Sequence, residues 1–229
     1  MLDEPGLDGL LPRGSDGFAR LLVTDDRACD RVAALLPNTR AGLIIVCAAA
    51  VRSAGLLDAD PAWRAGNATA MTCHDLRTVC GPELPAELTL RPVQRLDGDD
   101  AAGVPLGEAV GAACRADPGL IDPRTLVDHL RSLPHQFALW AAVDPEGVVR
   151  GTSGSAAFGT TASVIFVNTD PGWRRRGIAQ AMTVTALRAA EQAGARQASL
   201  DASGAGRELY LSLGFQTATS IRRFRAEPQ

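Results

Sequence analysis

The stretch Asn168-Thr-Asp-Pro-Gly-Trp-Arg-Arg-Arg-Gly-Ile-Ala179 is the most informative part of this chain. It follows a short apolar segment and precedes a long Ala-rich one, so we place it between a strand and a helix. A helix start offers several unpaired N–H groups and a partial positive charge. Gly177 and Ala179 are small enough for a bulky anion to approach the backbone closely. The stretch therefore predicts a phosphate-binding turn.

Three consecutive arginines, Arg174 to Arg176, add positive charge to this turn. The alternative is an exposed Arg run without a ligand, although cations at a helix start oppose the helix dipole. The stretch matches neither G-x-x-x-x-G-K-[ST] nor G-x-G-x-x-G, which argues against nucleoside triphosphates and dinucleotides. Residues 160–229 hold nine Arg and five acidic residues, a net charge of +4, whereas residues 1–85 have a net charge of −3. An anionic ligand would therefore prefer the C-terminal part.

Composition restricts the class of protein. Hydrophobic residues make up 46% and charged residues 21% of the 229 positions, which excludes a disordered chain. The net charge of −3 argues against a strongly basic nucleic-acid binder. The acidic N-terminus does not resemble a signal peptide, and the longest apolar stretch, residues 43–51, is too short to cross a bilayer. The five cysteines are scattered, which argues against a disulfide framework or a zinc site. We expect a cytoplasmic protein that binds no metal, membrane or nucleic acid.

The segment Gly81-Pro82-Glu-Leu-Pro85 is the best candidate for a domain boundary, because two prolines interrupt helices and inner strands. It predicts an N-terminal region, residues 1–85, and a second domain, residues 86–229. In the second domain, periodicity and turn residues predict a strand at 88–93, helices at 101–115 and 123–133, and an antiparallel meander over 137–168. They then predict a helix at 175–193, a strand at 198–202, a helix at 206–213 and a final strand at 214–225. This order predicts an α/β (α+β) fold with a mixed, largely antiparallel central sheet flanked by helices.

The N-terminal region has a weaker pattern of its own. Residues 1–17 suggest a loose or late-packing arm and residues 58–67 a loop. Between them the pattern predicts a helix, a buried strand and a second helix, over 27–36, 42–47 and 48–57. This order resembles that of residues 175–216. One interpretation is a degenerate copy of the second domain that packs on it and borders its ligand-binding cleft. The other is an unrelated extension.

The family resemblance rests on three motifs. Arg174-x-x-Gly177-x-Ala179 resembles the Q/R-x-x-G-x-G/A motif of the GNAT superfamily of N-acetyltransferases. Thr169-Asp-Pro171 is similar to the V-x-P that ends the family's fourth strand. Leu209-Tyr210-Leu-Ser-Leu-Gly214-Phe215 is similar to the family's L-Y-x-x-L-G-F signature. The resemblance covers roughly residues 88–225 and implies the GNAT acyltransferase fold with acetyl-CoA as the acyl donor.

The resemblance also implies where the coenzyme binds. In the superfamily the motif's amides hold the pyrophosphate, and the pantetheine arm lies between the splayed fourth and fifth strands. The implied coenzyme-binding residues are Val167, Asn168, Thr169, Arg174, Arg175, Arg176, Gly177, Ile178, Ala179 and Ser203. Ser203 stands where many members have Asn, and Gly206 stands where they have Ala. Both replacements have a smaller side chain than the family pattern.

Tyr210 is the catalytic residue that the resemblance implies, as the general acid for the departing thiolate. A thiolate whose conjugate acid has a pKa of about 8.5 can take a proton from a well-placed phenol with a pKa of about 10. Tyr210 is the only tyrosine in the chain. The alternative is a core aromatic side chain that packs the short helix onto the sheet.

The general base is not evident from the sequence. Asp170 and Asp201 lie near strand ends, but Asp170 could equally cap the following helix and Asp201 could be a turn residue. His129 and His135 could face the acceptor cleft, although a structural or surface role is more common. Trp173 could cover the coenzyme, but packing under the turn is the simpler interpretation.

These observations lead to one expected function and its alternatives. We expect direct attack of a primary amine, of a small molecule, on the acetyl thioester, with a fourth-strand amide polarising the carbonyl. The alternatives are a non-catalytic acyl-CoA-binding module and a protein N-acetyltransferase. For the assembly, a homodimer is the working expectation.

Overall fold

The computed structural model describes residues 2–10, 19–36, 42–94, 103–116, 123–132 and 137–226. Within these residues the chain forms twelve strands and six α-helices. The strands are β1 (Leu2–Glu4), β2 (Leu7–Leu10), β3 (Ala19–Val23), β4 (Gly42–Cys47), β5 (Trp63–Cys73), β6 (Thr89–Gln94), β7 (Val104–Pro105), β8 (Phe137–Val143), β9 (Val149–Phe158), β10 (Thr161–Thr169), β11 (Gln197–Ala202) and β12 (Gln216–Ala226). The helices are α1 (Cys29–Leu35), α2 (Val51–Ala59), α3 (Leu106–Ala116), α4 (Pro123–Ser132), α5 (Ile178–Gln192) and α6 (Arg207–Ser212).

The chain divides into two compact units. Unit 1 comprises Met1–Ala70, Asp201–Ala205 and Thr217–Gln229, and unit 2 comprises Met71–Leu200 and Gly206–Gln216. The C-terminal strand β12 thus belongs to the unit built mainly from the N-terminal part of the chain.

Unit 2 contains a mixed sheet with the strand order β11-β10-β9-β8-β6-β7. Strands β8, β9 and β10 form the predicted antiparallel meander. Strands β10 and β11 are parallel, and α5 is the crossover between them, as a parallel pair requires. The prediction of a mixed, largely antiparallel sheet flanked by helices is confirmed.

Helices cover both faces of the unit 2 sheet. Leu106 and Val110 of α3 and Leu130 of α4 pack with the β8 side chains of one face, which include Leu139. On the other face, the start of α5 packs against β8 and β9. Gly151 of β9 makes this approach feasible, because a Cβ there would lie 2.8 Å from Cγ2 of Ile178. The close packing positions the start of α5 next to the beginning of β9 and the end of β10.

In unit 1 the strands have the order β1-β2-β3-β4-β12-β5. Strand β4 is the continuous apolar run that the sequence predicted, and Ile44, Ile45 and Val46 are all buried. Val32 of α1 and Leu57 of α2 pack on one face of this sheet, in a cluster that includes Phe224 of β12.

Two expectations for the N-terminal region are wrong. Residues 2–10 are not a loose arm, because β1 and β2 pair antiparallel and Leu7 is buried in the unit 1 core; that the arm packs late stays a prediction, and residues 11–17 lie outside the described residues. Residues 58–67 are not all loop, because β5 begins at Trp63. Both segments contain Gly, Asp and Pro, which have low strand propensity, and pairing within a sheet overrides that propensity.

In the described part of the chain, no helix has both the length and the apolar character that crossing a membrane requires.

Candidate active site

The arginine-rich turn lies between β10 and α5, in unit 2. Asp170 caps a single 3-10 turn, Pro171–Trp173, and its Oδ1 accepts a hydrogen bond of 2.9 Å from the Gly172 N–H. Two residues of the following loop, Arg175 and Gly177, have positive φ angles of 65° and 76°. Such left-handed residues turn backbone N–H groups toward a common point. The loop therefore has the geometry of an anion-binding turn.

The start of α5 leaves its first N–H groups available. The first helical bond runs from the Ala181 N–H to the Gly177 carbonyl, at 3.0 Å, and no side chain caps the helix. The N–H groups of Ile178 and Ala179 precede this bond and are not used within the helix. Gly177 lies close to Pro82, whose Cγ would be 3.3 Å from a Cβ at that position.

The three arginines have different surroundings. Arg174 donates to the Ala116 carbonyl at the end of α3, at 3.0 Å. Arg176 pairs with Glu87 at 2.6 Å, and its guanidinium lies 4.5 Å from the centre of the Trp173 ring. Among the described residues, Arg175 has no hydrogen bond or ion pair, and it is exposed. Arg175 is thus the cation of this turn that is available to a ligand.

Strand β10 separates from β11 before either strand ends. The parallel register covers only Thr161–Ser163 and Gln197–Ser199, whereas β10 continues to Thr169. A bulge in the pairing of β10 with β9 lies between Ile165 and Asn168, and Phe166 within it has a φ of 58°. A bulge bends its strand and increases the local twist. The last residues of β10 therefore carry backbone groups that have no partner on β11.

The predicted pantetheine-binding residues lie on this unpaired part of β10. Val167, Asn168 and Thr169 are all partly exposed. Oγ1 of Thr169 is buried without a hydrogen-bond partner in the described structure. A buried hydroxyl normally has a partner, so this atom offers a position that a bound ligand can satisfy. Together with the open start of α5, these residues fit the coenzyme that the resemblance implies.

An ion-pair network holds this strand end in place. Arg150 of β9 donates through Nε to Asp144, at 2.6 Å, and through Nη1 to Asp170, at 3.0 Å. Asp144 also accepts from the Val148 N–H, at 2.8 Å, and its side chain is only 1% exposed. Burial opposes ionisation of Asp144, but the Val148 N–H and the Arg150 guanidinium outweigh it and lower the pKa of the carboxyl below its ordinary value. Arg150 thereby links the β8–β9 turn to the cap of the arginine-rich turn.

Replacing Arg150 with Met should lower the stability of the protein and change how stability depends on pH. A carboxyl whose pKa is lowered on folding stabilises the fold above its unfolded-state pKa, and that stabilisation is lost as the pH falls through its folded-state pKa. Wild-type stability should therefore decrease below about pH 4, and Arg150→Met should have a lower urea midpoint at pH 7 and a smaller decrease on acidification. Urea titrations from pH 7 to pH 2.5 would measure both. Arg188→Met removes an exposed arginine of α5 and is the matched control; equal pH profiles for wild type and Arg150→Met would contradict the prediction.

Tyr210 lies on α6, in the same unit as the turn. Its side chain is buried, with 8% of the residue exposed, and its ring packs edge-on against Phe215, with 5.9 Å between ring centres. These contacts fit a packing role, and they also hold the ring in one orientation, as a general acid requires. The assignment of Tyr210 as general acid stays a prediction.

The other candidates are distributed over the molecule. Asp170 is held as a cap and as a partner of Arg150, which favours the structural interpretation of this residue. Asp201 and Ser203 belong to unit 1, where the charge of Asp201 helps to raise the pKa of the Cys47 thiol, after burial as the main cause. His129 lies on α4, and His135 lies outside the described residues.

Trp173 and the cysteines have structural surroundings. Trp173 packs against the cluster that contains Ile178 and Met182, beneath the turn. The five cysteines are free thiols. Within the described ranges, no group of three or more His, Cys, Asp or Glu side chains is placed to hold a metal ion.

Sequence reasoning missed the residues that hold the site. Arg150, Asp144 and Glu87 lie far from the motif in sequence, and each makes a contact that fixes the turn or its neighbours. The only signal for Asp144 was its place in the turn segment Asp144-Pro-Glu-Gly147, which indicates local structure rather than a link to Asp170.

Comparison with known proteins gives one family match and several matches to solved structures. The sequence profile of the Acetyltransferase (GNAT) domain matches residues 135–217. A search of the curated proteins finds no match. Among solved structures, a GCN5-related N-acetyltransferase from Kribbella flavida is 20% identical with a TM-score of 0.61, covering 98% of this chain and 88% of its own.

Two further solved structures match over nearly the whole chain. A GCN5-related N-acetyltransferase-like protein from Streptococcus suis is 17% identical with a TM-score of 0.60, covering 98% of this chain and 85% of its own. A tandem GNAT protein from the clavulanic acid biosynthesis pathway is 15% identical with a TM-score of 0.57; the match covers 97% of this chain and 79% of that protein's chain. At these identities the structures show the fold alone. The profile match adds that residues 135–217 of this chain resemble the Acetyltransferase (GNAT) domain.

Proposed function

We propose that this protein transfers an acetyl group from acetyl-CoA to a primary amine of a small molecule. The observation that carries the proposal is the separation of β10 from β11 beside the uncapped start of α5. The gap between the strands suits an extended thiol arm, and the helix start suits an anion. The gap between the strands and the helix start are adjacent. A ligand that consists of a diphosphate joined to a long arm needs two such neighbouring sites.

The coenzyme would lie along three groups of residues. The backbone N–H groups from Arg175 to Ala179 would bind the diphosphate, with the exposed Arg175 side chain as an added cation. The unpaired edge of Val167, Asn168 and Thr169 would pair with the pantetheine amides, in the way that a peptide adds to a sheet edge. For Arg176 we propose that the backbone, rather than the side chain, contributes, because its side chain already pairs with Glu87. Arg174 would act by holding the turn, since its side chain donates to the Ala116 carbonyl and its N–H to the Pro171 carbonyl.

The chemistry follows from this placement. The acceptor amine attacks the thioester carbonyl carbon, a β10 N–H polarises the carbonyl oxygen, and the carbon–sulfur bond breaks. Tyr210 donates its phenolic proton to the departing thiolate, and the proton that the amine loses restores the phenol by way of water. No step needs a metal ion or an external oxidant.

We further propose that the N-terminal region is a degenerate GNAT-like lobe. In unit 1, β3 and β4 are parallel with α1 as their crossover, as β10 and β11 are with α5. Strand β3 ends before Thr24-Asp25, and Asp25 caps the 3-10 turn Asp26–Ala28. Strand β10 ends at Thr169, and Asp170 caps the 3-10 turn Pro171–Trp173 in the same way. This shared local structure supports a common origin for the two segments.

The two lobes differ where the coenzyme would bind. The 3-10 turn of unit 1 leads directly into α1, so the loop that corresponds to Arg174–Gly177 is missing. All five residues of β3 pair with β4, so these strands do not separate. The carboxylate of Asp26 accepts a bond of 3.1 Å from the Ser53 N–H at the start of α2. We therefore expect unit 1 to bind no acetyl-CoA.

Calorimetry and a thiol-release assay test this function. Titration with acetyl-CoA should show one molecule bound per chain. With a panel of small primary amines, at least one amine should cause release of free CoA thiol. Binding without release for any amine would favour the non-catalytic acyl-CoA-binding module, and release only with peptide amines would favour a protein acetyltransferase. Two molecules bound per chain would contradict the degenerate lobe, and no binding would contradict the whole proposal.

A further inference from the structure

Unit 1 contains a groove that the proposed acetyl transfer does not use. Its volume is about 710 Å³, which lies within the range of small-molecule sites. Its roof is one side of α2, and its floor consists of residues of β4, β5 and β12.

The roof is made of small side chains. Val51, Ala54, Gly55 and Asp58 follow the helical spacing i, i+3, i+4 and i+7, so they share one side of α2. A Cβ at Gly55 would have no atom within 4 Å, so this glycine is required neither by close packing nor by a positive φ angle. A glycine inside a helix is about 1 kcal/mol less favourable than alanine. Its presence there leaves space in the groove.

Three uncharged polar side chains lie among the apolar residues of the floor. Asn67, Thr69 and Ser220 line it, and their side chains make no hydrogen bond to any other described residue. An amide and two hydroxyls offer both donors and acceptors. Val51 at the rim is 70% exposed, which adds an apolar contact for the less polar side of a ligand.

The charges that line the groove are already satisfied. Asp58 and Arg222 form a bidentate pair of 2.5 and 2.7 Å, and the Arg222 guanidinium lies 4.8 Å from the centre of the Phe224 ring. Separating this pair to bind a charged ligand would sacrifice two charge-assisted hydrogen bonds. The groove therefore favours ligands that carry no net charge.

We propose that this groove binds a small, uncharged, hydroxyl-bearing organic molecule of the size of a nucleoside or a disaccharide. Hydroxyls of the ligand would pair with Asn67, Thr69 and Ser220, and its apolar side would contact Val51 and Ala54. The proposal does not depend on acetyl transfer, because all the lining residues belong to unit 1.

Saturation-transfer NMR on the full chain tests the site, with sucrose, glucose and adenosine as neutral probes. At least one of them should bind, and Gly55→Phe, which fills the groove, should weaken that binding at least tenfold. Gly107→Phe is the matched control, because a Cβ at Gly107 of α3 also has no atom within 4 Å, and it should leave probe binding unchanged. Asn67→Leu removes a floor amide without filling the roof, and it should weaken binding even if Gly55→Phe does not fold.

The remaining outcomes overturn the proposal. No signal from any neutral probe, or equal weakening by Gly55→Phe and Gly107→Phe, would show that the groove is not such a site. Groove-dependent binding of only glucosamine or glucuronate, which carry charges, would contradict the uncharged ligand class. Acetyl-CoA binding by folded Gly55→Phe is measured in parallel and should equal that of wild type, so that failure of this site and failure of the proposed function are distinguished.

Discussion

Tyr210→Phe is expected to lower kcat about 100-fold while the affinity for acetyl-CoA stays at the wild-type value. The substitution removes only the hydroxyl, so the edge-on packing against Phe215 remains. Loss of a positioned general acid typically costs a factor of 10² to 10⁴ in rate. Steady-state kinetics with an amine acceptor, together with calorimetry for acetyl-CoA, would measure the two effects separately.

Phe215→Leu is the control for this prediction. It disturbs the same aromatic contact without removing the hydroxyl, so it should lower the melting temperature and leave kcat within a few-fold of wild type. At every pH at which the wild-type enzyme uses this general acid, kcat of Tyr210→Phe should be lower than kcat of wild type. A rate equal to wild type across the pH range would remove Tyr210 from the mechanism and support a role in packing alone.

Gly177→Val is expected to weaken acetyl-CoA binding by about tenfold or more. Gly177 has a φ of 76°, and left-handed backbone costs other residues about 1–2 kcal/mol, with β-branched residues the least tolerant. The new side chain would also press on Pro82, since a Cβ lies only 3.3 Å from its Cγ. The turn must then change shape, and restoring its coenzyme-binding shape would cost about 1–2 kcal/mol. That cost corresponds to roughly a 5- to 30-fold change in the binding constant for acetyl-CoA.

Gly159→Val separates strain from site geometry. Gly159 lies in the β9–β10 turn with a φ of 60°, and a Cβ there has no atom within 4 Å. Both variants should lose stability, but only Gly177→Val should lose affinity for acetyl-CoA in calorimetry. Equal affinities for the two folded variants would mean that the arginine-rich turn does not hold the coenzyme.

Much of unit 2 could be predicted because its signals are local. The meander over β8, β9 and β10 follows from apolar segments separated by turn residues, and Gly147 and Gly159 do have the positive φ angles of such turns. Helix α5 follows from an Ala-rich periodic segment that ends at Gly194, which also has a positive φ. The predicted helix began three residues too early, because Arg175 and its neighbours form the turn instead of the first helical residues.

Unit 1 was harder to predict, since its strands depend on distant partners. Strand β12 lies 169 or more residues from β4 in sequence, yet Phe224 pairs with Ile44. Strand β5 contains Gly66 and Asn67, which lower its local strand propensity. Such pairings are stabilised by burial that exists only after the chain has folded.

The candidate site likewise has local features that the sequence predicts and long-range contacts that it does not. A strand, a cap, three arginines and a helix start lie within twelve consecutive residues, so their order and backbone chemistry were evident from the residues themselves. The resemblance implied that β10 and β11 separate, whereas the partners of Arg174 and Arg176 and the Asp144–Arg150–Asp170 network appeared only in three dimensions. Turn and helix signals act between neighbours in the chain, whereas strand register and ion pairs depend on which distant residues packing brings together.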